Sequence, residues 1–280
     1  IPYIKDSFRA GISDEHTKGV RGSFKYGYAC DIHKRRDSIS CNFAMSTIGS
    51  SSVVKDLVKF KVTARDGTTY CFGSAGSVYA IAGDPNDPVV TGVYNDENGE
   101  IKGAAEWKES GGTNYLYWAT STSIARMALN GSPDTPWAAG VVTQDYKTTL
   151  DNWAYHPMQV ANGSLVIGNG NFLATIAYDG AFNNAEMNIR PGNVVKCLAE
   201  RDDYAIIGSE RVDNAEEGHI WSWIVGNASY SQKRKIPVKG VNALIDAERL
   251  LLQGGNVGEI FYSDFSNVAP LNAIPASGKC

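Results

Sequence analysis

Apolar and polar positions follow one another in a pattern that recurs about every 45 residues between residues 53 and 264. Each of five copies reads as an apolar run, a polar turn, a second apolar run, a glycine-bearing turn and a third run. The second runs are the clearest: 68–72 (TTYCF), 114–119 (NYLYWA), 164–168 (SLVIG), 204–208 (YAIIG) and 250–254 (LLLQG), starting roughly 46, 50, 40 and 46 residues apart. The third runs are 77–82, 123–129, 172–178, 219–225 and 259–263, and shorter apolar stretches end at Val62, Trp107, Val160, Ala199 and Ile245 ahead of each second run. A small sheet cannot bury both its faces alone, so a β-unit at this period stacks on its neighbours. The expected fold is all-β, a β-propeller or propeller-like array of about five visible blade repeats, with a β-sandwich as the competing architecture. Near-continuous apolar runs such as Leu250, Leu251 and Leu252 are what a strand covered on both faces requires.

Residues 1–52 stand apart as an N-terminal hairpin segment, and residues 53–280 carry the repeats. Within the first part, residues 22–46 read as two strands joined by the charged loop 33–37, an element that could complete a blade. Longer polar stretches at 84–102, 132–153, 180–192 and 227–237 are expected to be connections decorating one rim of the disc.

Composition adds mostly exclusions. The 280 residues are 43% hydrophobic and 20% charged, an ordinary globular balance. A net charge of -4 argues against a nucleic-acid partner or an anionic membrane, and no apolar run suits membrane insertion. The basic clusters 34–36 and 233–235 are short enough to be solvated loop charges. Five cysteines and four histidines show no metal-ligand spacing, so neither a metal nor a cofactor is expected. Cys30 and Cys41 could face each other across the hairpin, although buried free thiols are the favoured reading. Sequons at Asn130, Asn162 and Asn227 fall near expected turns. The chain opens at Ile1 without an initiating methionine, as a piece of something longer would.

Residues 14–45 carry three further elements: GSFKYG at 22–27, DIHK at 31–34 and DSISC at 37–41. This stretch resembles the opening of tail-associated, propeller-like virion structural proteins of tailed phages. The resemblance implies a non-enzymatic structural component of a phage particle, in the tail or host-attachment apparatus. Its implied partners are other virion proteins in a multi-copy or homo-oligomeric assembly, with a host surface glycan as a further candidate. The implied location is the virion.

Chemistry is harder to find. A glycoside hydrolase on this fold needs paired carboxylates near one end of the central channel, and the adjacent acids Asp96 and Glu97, Asp202 and Asp203, Glu216 and Glu217 read better as turn charges. No catalytic residue is assigned. The glycine-rich 73–77 lacks the following helix of a phosphate cradle and reads as a hairpin turn. A lectin-like carbohydrate-binding propeller remains the other alternative, since sugars favour exposed aromatic faces. Trp107, Trp118, Trp221 and Trp223 sit in expected strands and suit the core. Trp137 and Trp153 lie in or beside the connection between the second and third repeats, which makes them the candidate surface for a partner or glycan.

Overall fold

A computed structural model describes residues 56–84, 87–110, 112–129, 142–213, 217–247, 250–255 and 260–270, together with four two-residue strands nearer the N-terminus. The chain separates into two compact units, Ile1–Ile48 and Gly49–Cys280. In the first unit, β1 (Gly11–Ile12) pairs in parallel with β2 (Ser23–Phe24), and β3 (Cys30–Asp31) pairs antiparallel with β4 (Ser40–Cys41). Cys30 and Cys41 stand opposite each other in that register.

The second unit holds five four-stranded antiparallel sheets, each a meander in chain order. Sheet 1 is β5 (Val58–Thr63), β6 (Thr69–Gly73), β7 (Ser77–Asp84) and β8 (Asp87–Asn95). Sheet 2 is β9 (Gly103–Lys108), β10 (Asn114–Ala119), β11 (Ile124–Leu129) and β12 (Val142–Lys147). Sheet 3 is β13 (Met158–Ala161), β14 (Ser164–Asn169), β15 (Phe172–Ile176) and β16 (Phe182–Asn188). Sheet 4 is β17 (Asn193–Arg201), β18 (Tyr204–Arg211), β19 (Gly218–Ile224) and β20 (Gln232–Ile236). Sheet 5 is β21 (Val241–Ala247), β22 (Leu250–Gly255), β23 (Ile260–Ser263) and β24 (Val268–Pro270). The first strands β5, β9, β13, β17 and β21 neighbour one another in series, so the sheets are stacked as propeller blades around their first strands.

The fourth strands correct the sequence reading. Residues 84–102, 132–153, 180–192 and 227–237 were expected to be rim connections, yet they contain β8, β12, β16 and β20. These outermost strands are half-exposed and polar, as in QKRKI of β20, four of whose five residues face solvent. Alternation is lost there because an outer edge strand has little apolar surface to bury. Its lysines also block pairing with a further strand.

Four hydrophobic cores hold the stack, one between each successive pair of sheets. Tyr70, Phe72 and Val78 meet Leu116, Trp118 and Met127; Tyr117 and Ile124 meet Leu165 and Ile167. Val166 and Leu173 meet Ile207, Trp221 and Trp223; Ile206 and Ile220 meet Val241 and Leu251. Close approach of the next sheet requires a residue without a side chain near the end of the second strand. A Cβ at Gly168 would lie 2.8 Å from both Pro157 and Val195, and one at Gly208 would lie 2.4 Å from the Cys197 sulfur and 2.8 Å from Val241. Asp96 pins sheet 1 to sheet 2 from a buried position: it accepts hydrogen bonds from Trp118 Nε1 (2.6 Å), Gln144 Nε2 (2.7 Å) and the Asn98 amide (2.9 Å).

Among the described residues, no comparable core joins sheet 5 to sheet 1. Register shows the consequence. Ala199 on β17 pairs with Ile206, and Ile245 on β21 pairs with Leu252, so Ala199 and Ile245 are equivalent positions on equivalent sheet faces. Ala199 is 8% exposed beneath sheet 5, whereas Ile245 is 62% exposed. Ala199→Lys is therefore expected to cost about 3 kcal/mol or more, through overpacking and a buried charge. Ile245→Lys should stay within about 0.5 kcal/mol of the parent. Urea midpoints of the two variants check this, and equal losses would show that sheet 5 is covered as sheet 4 is.

Candidate functional site

The first strands end together on one side of the stack, and their ends line a solvent-open cavity of about 480 Å³. Four successive sheets contribute to it. Sheet 1 gives Arg65 from the β5–β6 turn; sheet 2 gives Glu106, Trp107 and Lys108 from the end of β9, with Asn114 opening β10. Sheet 3 gives Val160, Gly163 and Tyr178, and sheet 4 gives Glu200 near the end of β17.

Local sequence explains why these side chains are held. The β5–β6 turn is closed by the Thr68 amide donating to Asp66 Oδ1 at 2.8 Å and the Ala64 amide donating to the Thr68 carbonyl at 2.8 Å. That geometry aims the Arg65 amide at Glu106 Oε2, 3.0 Å away. Asn162 and Gly163 form a two-residue hairpin loop with φ of 45° and 71°, the paired left-handed conformation that an Asn-Gly turn adopts most readily. Tyr178 is tied to sheet 2 by the Ser110 amide, which donates to its carbonyl at 2.8 Å. Tyr178 is 55% exposed, while Trp107 is 6% exposed and packs against Tyr117 with ring centroids 5.9 Å apart.

A half-buried polar cluster lies in sheet 2. Arg126 lies between the rings of Tyr115 (4.1 Å) and Tyr146 (3.8 Å) and bonds Glu109 at 2.6 Å. Tyr117 and Tyr146 also donate to Glu109. Burial works against the Glu109 charge, but these three donors outweigh it and hold its carboxyl below the usual range. The Tyr146 hydroxyl is pushed up to about 12, by burial first and then by its bond to Glu109. The cluster joins β10, β11, β12 and the residue that follows β9 through one ion pair and its hydrogen bonds.

The cavity carboxylates behave oppositely. Burial raises the Glu106 carboxyl, with the Arg65 amide and charge offsetting only part of the effect. Burial alone raises Glu200. The walls thus offer two carboxylates with affinity for donors, two cations at Arg65 and Lys108, an amide at Asn114 and an accessible phenol ring.

The residues singled out from sequence fall elsewhere. Trp137 lies outside the described residues. Trp153 is half-buried, its indole against Gly170, where a Cβ would come within 2.2 Å of Nε1. Its carbonyl accepts a bond from Lys102 Nζ at 2.5 Å, and it is not among the described residues lining the cavity. Trp107, Trp118, Trp221 and Trp223 are core residues, as expected. Of the adjacent acids, Asp96 is a buried structural acceptor, Asp202 and Asp203 are exposed in the β17–β18 turn, and Glu217 pairs with Lys235 at 2.6 Å; Glu216 lies outside the described residues. Gly73 to Ser77 is a hairpin turn, also as expected. Sequence reasoning passed over Glu106 and Glu200 because they belong to different repeats and share no motif. The available signal was positional: each sits at or next to the end of a first strand. Among the described residues, no group of three or more His, Cys, Asp or Glu is placed to hold a metal, and no helix is long and apolar enough to cross a membrane.

No family model matches the chain, and no curated protein resembles it in sequence. Solved structures do resemble it in fold. The WD40 beta propeller domain of Doa1 is 14% identical with a TM-score of 0.54, the match covering 80% of this chain and 70% of that one. The structure of U3-55K is 11% identical with a TM-score of 0.53, covering 79% of this chain and 68% of that one. A chain in the COPII outer coat vertex on membranes is 12% identical with a TM-score of 0.55, covering 79% of this chain and 62% of that one. The fold is a β-propeller array. At these identities the likeness concerns the fold alone.

Proposed function

We propose that this protein is a structural component of a tailed-phage virion, in the tail or host-attachment apparatus, acting through contacts with other proteins and present in multiple copies. The observation that carries the reading is the pairing of the 14–45 segment, with its GSFKYG, DIHK and DSISC elements, with a propeller array devoid of a recognisable catalytic constellation among the described residues. Stacked sheets suit such a role: their cores tolerate little change, while turns and outer strands vary freely to fit partners. A likeness to a component of a membrane-coat vertex supports protein assembly as the general task of such a scaffold. Cryo-electron microscopy of the native source material tests the proposal. Density for the five-sheet array at repeated positions on tails or capsids is the expected result. A free, soluble monomer absent from particles would overturn it.

A further inference from the structure

We infer that the cavity at the ends of the first strands is a binding site for a neutral saccharide of one or two sugar units. Its size, about 480 Å³, falls within the range of small-ligand sites and admits a ligand of that size. The decisive feature is charge balance. Two basic residues, Arg65 and Lys108, line the same space as two acidic ones, Glu106 and Glu200. A ligand with a strong charge of either sign meets a like charge on the wall. A polyhydroxylated neutral ligand meets none, because each hydroxyl both donates and accepts, and the walls supply both kinds of partner. Carboxylate oxygens accept from sugar hydroxyls; the Arg65 guanidinium and the Asn114 amide donate to them.

Two further observations point the same way. The Glu106 and Glu200 carboxyls are held above the usual range chiefly by burial, so hydrogen-bond donors from a ligand would relieve a cost that the fold leaves standing. Tyr178 is 55% exposed, and a phenol face there gives the C–H surface of a pyranose an apolar platform beside the polar groups. The walls are strand ends and three short turns, one of them the Asn162–Gly163 hairpin, so the site is largely formed before ligand arrives. This inference goes beyond the virion reading, because the cavity chemistry is the same whichever assembly holds the chain.

The test is saturation-transfer NMR on the full chain with glucose, galactose, mannose, N-acetylglucosamine and their disaccharides, alongside glucuronic acid and glucosamine as charged counterparts. At least one neutral sugar should receive saturation, and the charged counterpart should bind more weakly. Tyr178→Ala and Glu200→Gln should each weaken binding by about tenfold or more. Neither should lower the melting temperature, because Tyr178 is exposed and Glu200 gains nothing from its burial. Transfer to none of the neutral sugars would overturn the inference. So would transfer that survives unchanged in both variants. Absence of the protein from phage particles would overturn the virion reading and leave the sugar result standing; particle assembly without sugar binding would do the reverse.

Discussion

Leu251→Asp should leave sheet 5 unable to dock and unfold the array at room temperature. Leu251 is fully buried, in the core it shares with Ile206, Ile220 and Val241 across the junction of sheets 4 and 5. Removing the side chain costs on the order of 2–5 kcal/mol in lost apolar burial and cavity. An ionised carboxylate in the same place adds several more, since the side chains packed around it in that core are apolar. The sum rivals the whole stability of a typical domain. Nearby charge is no remedy: Asp246, directly opposite Leu251 across the strand pair, would repel a second carboxylate, and the neighbouring cation, Arg201, is already bonded to Asp246 at 2.7 Å. Circular dichroism and a urea titration check the expectation. A variant that melts with its parent would show that the core between sheets 4 and 5 is not as described.

The second large effect is acid sensitivity centred on His219. This residue on β19 is 5% exposed and stacks near Trp221, with ring centroids 5.8 Å apart. Its imidazole is pushed down from 6.5 to about 4, by burial first and then by Lys233, Lys235 and Arg211, with Glu217 opposing them. A histidine whose folded value is depressed takes up its proton more readily when unfolded. Its contribution to stability is therefore complete above pH 6.5 and is lost as pH falls from there towards 4. A shift of that size corresponds to on the order of 2–3 kcal/mol once partial solvent screening is allowed for. His156 acts in the same direction. Buried between the carbonyls of Gly168 (2.8 Å) and Ser121 (3.1 Å), it is also lowered by burial, although those two contacts pull the other way. Urea midpoints measured between about pH 7 and pH 4 should fall steadily in the parent and much less in His219→Phe. Parallel slopes would exclude His219 as the source.

Whether a residue could be read from sequence tracked how fully its strand is covered by neighbouring sheets. The second strands were visible because they are covered on both faces, which forces runs such as Leu165, Val166 and Ile167, all fully buried. Trp118, Trp221 and Trp223 were placed in the core for the same reason. The outer strands were hidden by their solvent-facing composition, and β16, reading FNNAEMN, passes for a loop by any local measure. Trp153 shows the converse. Its position in a polar stretch suggested a free surface, but the close approach permitted by Gly170 draws the indole onto the β14–β15 turn.

By itself the sequence determined the all-β class, five repeats and the turns between their strands, because period, apolar runs and glycine positions are local properties of the chain. Only the tertiary structure decided which residues share a site. Arg65, Glu106, Tyr178 and Glu200 come from four sheets, and stacking alone brings the ends of their strands around one cavity. The same holds for exposure: Ala199 and Ile245 occupy equivalent positions in the repeat, and one is buried while the other is open because sheet 5 covers the first and, among the described residues, no sheet covers the second.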